Sequence, residues 1–561
     1  AIGSKAISFK TIMIVASIGI AVGAIFSSGM MEVARKGIFN PGEFMFSEIM
    51  IIFMAVMITD ILLLDFFNSI GMPTSTTVSI VFELLGAAVA MALIKIGADN
   101  GSFSDLVIYI NTSKATQIIF GILLSVVVAF SIGAIVQWAS RLLLSYDFEN
   151  KAAWVSAIFG GLAITAISYF ILMKGIKGTP YAKLSFDIIN GMTIKEFLET
   201  KVTSIILVSS VFWSLFAYIL IAFFKTNIYK IIILIGTFAL ALAFAGNDLV
   251  NFIGVPIAAW QSYEAWLASG IPANEFSMEV LASKVPTPNT LLLAAGMIMV
   301  LTLWFSSKAK RVVKTSIDLS KQGDTKERFN PNFVSRFLVR SASKASLLID
   351  KVTPKPINDF IEKQFKEKTV LAATISDEDR PAFDLVRASV NLMVAGILIS
   401  IATSYKLPLS TTYVTFMVAM GTSLADRAWG SESAVYRVAG VLNVIGGWFG
   451  TAIVAFTAAG LIAFLINISE LMIAVLLLGV VVIGVKNYLN GKKSSDLSDE
   501  ETLSFDESSS LQGVIFESSK NISKVMKRGE KVYSSAIEGL SKQDLDLLKK
   551  NKKQTAKLSN D

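Results

Sequence analysis

A series of apolar stretches decides what this chain can fold into. A helix needs about 20 apolar residues to cross a hydrocarbon core of roughly 30 Å. Stretches near that length occupy 11–31, 46–66, 75–96, 115–144, 152–172, 202–224, 228–245 and 291–305, then 385–403, 410–423, 435–466 and 471–488. Their apolar character runs all round with little period-2 alternation, which predicts α-helices and not barrel strands. The stretch at 410–423 is short, and the one that starts at Ile228 is interrupted by a polar cluster at 246–251. Short and broken helices are where membrane proteins place their sites.

Composition agrees and removes several chemistries. The 561 residues are 53% hydrophobic and 17% charged, with a mean hydropathy of +0.63. A soluble domain averages about a quarter charged. The chain has no cysteine and no histidine. It therefore has no disulfide, no thiolate metal site, no imidazole base and no imidazole proton relay. Enzymes of the usual nucleophile–base kind are disfavoured, and no catalytic residue or cofactor is expected. The net charge of +7 falls largely outside the apolar stretches, so it reads as loop charge beside a membrane and not as nucleic-acid affinity.

The predicted organisation is membrane domain over 1–306, cytoplasmic helical insert over 307–383, membrane domain again over 384–489, and cytoplasmic tail over 490–561. The insert is polar and basic, with helical apolar spacing at 333–349. Lys308, Lys310, Arg311 and Lys314 follow one apolar stretch, and Lys486, Lys492 and Lys493 follow the last. The positive-inside tendency puts both in the cytoplasm. Residues 261–288 carry Glu264, Glu275 and Glu279 against a single Lys284, which suits the outer side.

One phrase occurs twice. PTSTT at 73–77 and PLSTT at 408–412 each open an apolar helix, and Gly86 and Gly421 come after them at matching positions. Proline suits a first helical turn, and serine or threonine beside it caps the helix. Each copy therefore predicts a helix N-terminus with free N–H groups, a positive dipole end and hydroxyl donors, which is an anion site. Two facing copies could replace the water shell of a tetrahedral oxyanion. Either copy alone reads as an ordinary cap; the duplication favours the site. The candidate ligands are Ser75, Thr76, Thr77, Ser410, Thr411 and Thr412.

The second motif is GNDLVN at 246–251. Charged groups at membrane depth are costly and usually functional. Asn247, Asp248 and Asn251 offer oxygen ligands that suit a hard cation such as Na⁺, and Asn247 and Asn251 share a helical face. Asp248 and Asn251 are also candidates for the anion. The ordinary alternative is a polar contact between helices.

With these residues in place, the chain resembles the PiT inorganic phosphate transporters. The family carries a GANDxxN helix and a P-x-S-T-T hairpin in each of two inverted repeats. GNDLVN and PLSTT match the second repeat; PTSTT and the opening AIGSKAISFK match the first. The resemblance spans most of residues 1–466. It implies an all-α polytopic secondary transporter with inverted repeats and re-entrant hairpins. It implies phosphate as substrate, Na⁺ as coupling ion, a multi-pass place in a bacterial inner membrane, and a homodimer as a further expectation. AIGSKAISFK resembles the family segment on the C-terminal side of a GANDxxN helix, so an upstream helix bearing that phrase is also expected. Sulfate, H⁺ coupling, a channel and a non-transporting membrane-anchored signalling protein stay open as alternatives.

The chain departs from the family where STTH becomes Thr77–Val78 and Thr412–Tyr413, so no histidine step carries over. It departs again at Glu83, where the family has a small residue. Pairing with a base is the first expectation for Glu83, and a bound cation or proton the alternative; Asp60 and Asp65 are similar. Asp426 and Arg427 are expected to face water at a hairpin end. Gly160, Gly161, Gly446 and Gly450 are read as close helix packing.

Overall fold

The computed structural model describes residues 1–25, 37–70, 74–177, 191–283, 288–306, 353–366, 381–404, 409–428 and 433–499, with shorter pieces between 182 and 189, 312 and 344, and 523 and 551. The described residues are nearly all helical. In chain order the helices are α1 (Phe9–Ile25), α2 (Phe46–Ile70), α3 (Thr76–Ala98), α4 (Thr112–Leu144), α5 (Ala153–Lys177), α6 (Val202–Ala222) and α7 (Ile228–Ser269). After these come α8 (Asn289–Phe305), α9 (Lys355–Phe365), α10 (Leu385–Ser404), α11 (Thr411–Ala425), α12 (Ser433–Ile468) and α13 (Leu471–Asp499). Each apolar stretch of the sequence is a helix over its described part. Eight of these helices are long and apolar enough to cross a membrane.

Residues Ala1–Val480 form one compact unit and Val481–Asp561 a second. The first has a continuous apolar core through Ile49, Phe53, Val81, Leu84, Val390 and Met420. Its periphery is apolar as well. On α6 only Ala217 is buried, while Leu207, Val208, Val211 and Leu215 are exposed. A water-facing surface would not present such a face; a lipid-facing one does.

The two-copy reading appears in the packing. Helix α3 of the first copy crosses α12 of the second, and α11 of the second crosses α4 of the first. Likewise α2 packs on α12, and α10 on α4. This exchange is what two like halves related by a two-fold produce. The matching glycines sit at its tightest points. A methyl at Gly86 would overlap the backbone carbonyl of Phe456 on α12, and one at Gly421 the carbonyl of Phe130 on α4. Gly160 and Gly161 are also packing positions, against Ile228 and Ser214. Gly446 and Gly450 are not, because a methyl on either meets open space.

The expected interruption of the helix at 246–251 is absent. Helix α7 runs unbroken for 42 residues through the polar cluster and through Pro256. Thr76, Thr77, Thr411 and the Leu409 carbonyl meet these side chains while the backbone ladder stays closed. At 1.5 Å per residue it is about 63 Å long, and its outer end leaves Trp260, Tyr263 and Leu267 exposed. Helix α11, by contrast, is short, with 15 residues. In the insert, α9 buries Gln364 and Phe365 and packs on α4. The described parts of 333–349 are helical, with Phe333 exposed.

Candidate oxyanion site at two helix N-termini

Both repeated phrases begin a helix with the same chemistry. Ser75, in extended backbone conformation, accepts a hydrogen bond from Val78 N at 3.2 Å and caps α3. Ser410 accepts from Tyr413 N at 3.1 Å and caps α11. Both serines are fully buried. Their hydroxyl oxygens thus hold the helix ends in shape, and the remaining first-turn N–H groups carry the positive end of the dipole. Pro73 and Pro408 lie outside the described residues.

Helix α7 ties the two ends together from one of its faces. Asn251 donates through Nδ2 to Thr77 Oγ1 at 2.8 Å and to Thr76 Oγ1 at 3.2 Å. One turn earlier, Asp248 Oδ2 accepts from Thr411 Oγ1 at 2.5 Å. Asn247 donates to the Leu409 carbonyl at 3.1 Å and to Asp248 Oδ1 at 2.9 Å. Asn251 therefore reads the first phrase, and Asn247 with Asp248 reads the second. Seven of the eight residues singled out for anion binding, and all three singled out for a cation, fall in the two hydrogen-bonded sets that α7 carries or cap the helices these sets hold. Thr412 follows Thr411 on α11 and is half-buried, with no side-chain contact of this kind.

Two features of the cluster point to ligands. Asn247 is buried, and its Oδ1 has no hydrogen-bond partner. An amide oxygen left without a donor beside a buried carboxylate is a ready ligand for a hard cation. Asp248 also brings a negative charge to the N-terminus of α11, where the dipole favours it.

Sequence reasoning missed part of the surroundings. Leu409, between the proline and the serine, serves through its carbonyl. Thr74 donates to Thr451 on α12 at 3.3 Å, fixing the first hairpin tip. Tyr413, at one of the positions where the family has histidine, stacks on Trp448 with ring centroids 3.7 Å apart. None of these carries a pattern in the sequence beyond proximity to the phrase.

Two expectations are corrected. Asp426 does not face water. It is buried, and Arg141 on α4 grips it through Nε at 2.7 Å and Nη2 at 2.6 Å, with Gln137 adding 2.9 Å. Arg141 also reaches Asp384 at 2.8 Å. An arginine and a glutamine four apart near the end of an apolar helix were the available signal. Arg427 does face outward, paired with Glu362 of α9 at 2.8 Å. The second correction is Glu83, which has no basic partner among the described residues: both its oxygens are buried and without hydrogen bonds.

The profile of the phosphate transporter family matches residues 1–319. The chain belongs to the phosphate transporter family. It is accordingly a multi-pass membrane transporter and not an enzyme. The match takes in the first STT phrase and the GND helix; the second STT phrase lies beyond it and joins the site through Asp248 and Asn247. Among solved structures, one titled the sodium-dependent phosphate transporter superimposes with a TM-score of 0.54 at 16% identity, covering 83% of this chain and 92% of that one. At that identity the likeness concerns the fold alone. No curated protein matches the sequence.

Proposed function

We propose that this chain carries inorganic phosphate across a bacterial inner membrane with Na⁺ as the coupling ion. The observation that carries the reading is the single face of α7 that holds Thr76 and Thr77 at one helix N-terminus and Thr411 at the other. Phosphate would sit between the two ends, with Ser75, Thr76, Thr77, Ser410, Thr411, Thr412, Asp248 and Asn251 around it. Hydroxyls, amide hydrogens and backbone N–H groups would replace its water shell. Na⁺ would take Asp248, the partnerless Asn247 oxygen and Asn251.

The cation has a physical reason. Phosphate and Asp248 are both negative, and a buried carboxylate next to an anion is prohibitive without a compensating charge. A bound Na⁺ supplies it, so each ion favours the other. That mutual dependence is coupling. Rocking of one copy against the other around this centre would expose it to each side in turn, with no covalent chemistry.

The test is uptake of labelled phosphate into proteoliposomes under an imposed Na⁺ gradient, with labelled sulfate in parallel. Saturable, Na⁺-dependent phosphate uptake that sulfate does not compete supports the reading. Preferred sulfate uptake would move the substrate to another tetrahedral oxyanion. Linear, unsaturable flux indifferent to Na⁺ would make the protein a channel.

A further inference from the structure

Two carboxyl groups of the membrane unit take no part in the oxyanion site. Glu83 on α3 is fully buried, and neither carboxyl oxygen has a hydrogen-bond partner. Asp60 on α2, the helix packed beside α3, is buried too, and its Oδ1 is equally without a partner. Helices α2 and α3 pack against one another, so the two acids stand on adjoining helices of the same core. One turn before Glu83, on the same face of α3, the hydroxyl of Ser79 is fully buried and also partnerless.

No cation compensates the pair among the described residues. On α2 and α3, Lys95 is held by Glu48 at 3.0 Å and by the Glu43 carbonyl at 2.9 Å, while Asp65 is half-buried a turn beyond Asp60. Helix α7 brings Asp248, engaged by Thr411, and Tyr229, Lys230, Tyr263 and Glu264 toward its two ends. Helix α12 brings Tyr436 and Arg437 in its first turns, the latter donating to the Ala428 carbonyl at 3.2 Å. Asp105 and Tyr109 lie in two short helices that follow α3, Phe103–Asp105 and Leu106–Tyr109. None of these bonds to Glu83 or Asp60.

Two buried carboxyl groups on adjoining helices, with no group of opposite sign bonded to either among the described residues, cannot both stay ionised: each is desolvated and nothing compensates it. A proton resolves this with a single O–H bond. A metal ion would need several oxygens from several directions, and the carbonyls of α2 and α3 are spent in their own helical ladders. We propose that Asp60 and Glu83 form a proton-binding pair between α2 and α3, distinct from the oxyanion site. The step is one proton taken from water onto a carboxylate oxygen and later returned; no other bond forms or breaks. Glu83 stands about 9 Å along α3 from Thr77 at 1.5 Å per residue. The charge state of the pair therefore bears on the packing of the helix whose N-terminus carries Thr76 and Thr77.

The test is infrared difference spectroscopy on the purified full chain without phosphate, across pH. The pair should give a carbonyl band of a protonated carboxyl at neutral pH, replaced by carboxylate bands as pH rises, and lost in the D60N/E83Q double variant. An unchanged band in that variant would overturn the assignment. So would loss of the wild-type band at constant pH on adding Na⁺ but not K⁺, which would make the pair a Na⁺ site. Asn and Gln imitate the neutral acids in size and charge, so each single variant, E83Q and D60N, should elute as a folded protein. Failure of both to fold would argue that ionised carboxylates are required and would count against the proposal. Because phosphate is absent, the outcome is separate from that of the transport reading.

Discussion

At the scale of residues, the hydroxyls of the two phrases divide their labour. Ser75 and Ser410 are spent on capping, while Thr76, Thr77 and Thr411 face the asparagines and the aspartate of α7. Ser75→Ala and Ser410→Ala should therefore cost helix stability, about 1 kcal/mol each as for other lost caps. They should weaken phosphate binding through the displaced helix end. Thermal unfolding in detergent with and without phosphate measures both effects; a double variant with unchanged melting and unchanged phosphate affinity would refute the cap and the site together. Asp248→Asn keeps the shape and removes the charge that Thr411 bonds. Uptake should then collapse or lose its dependence on Na⁺, checked by initial rates across Na⁺ concentration at fixed phosphate.

At the scale of elements, the glycines decide how closely helices of opposite copies can cross. Gly86→Ala and Gly421→Ala force a methyl against a backbone carbonyl that cannot step aside. Overpacking of this kind costs about 1–3 kcal/mol. Both variants should lower the unfolding temperature by similar amounts, because the two contacts are counterparts. Gly446→Ala points into open space and should leave it unchanged or raise it slightly, since alanine is the better helix former. The Arg141–Asp426 pair binds α4 to the end of α11 inside the protein. Asp426→Asn should cost about 1.5–3 kcal/mol, because it removes one of the two carboxylates that compensate the buried Arg141 guanidinium and leaves Asp384 as the other; the same unfolding assay reads it.

At the scale of the whole molecule, sidedness is set by the loops. Helix α8, a 17-residue apolar helix, lies in the chain between the acidic segment with Glu275 and the segment that carries α9, and we propose that it crosses the membrane. Cysteines placed at Glu275 and at Asp359 should therefore be labelled by an impermeant reagent from opposite sides of the membrane, on a chain with no native cysteine to confuse the result. Labelling of both from one side would overturn the layout.

The sequence by itself determined the helices, since a stretch of apolar residues in lipid has no other way to satisfy its backbone. It also determined that the repeated phrase and the GND cluster belong together, because polar groups at membrane depth need a purpose and a partner. Gly86 and Gly421 were legible as a pair from their matching positions, though not what each would touch. Tertiary structure decided the rest. Whether Asn251 serves the first phrase and Asp248 the second depends on how α7 lies against α3 and α11, which no local pattern encodes. Whether the polar cluster breaks α7 depends on neighbours able to meet its side chains; Thr76, Thr77, Thr411 and the Leu409 carbonyl do so, with the Asn247 Oδ1 left over, and the helix continues. Asp426 and Glu83 are both acids near or within apolar helices, alike in sequence. Among the described residues, packing brings Arg141 to the first and no base to the second, because the partner of a buried charge is chosen by which helices meet.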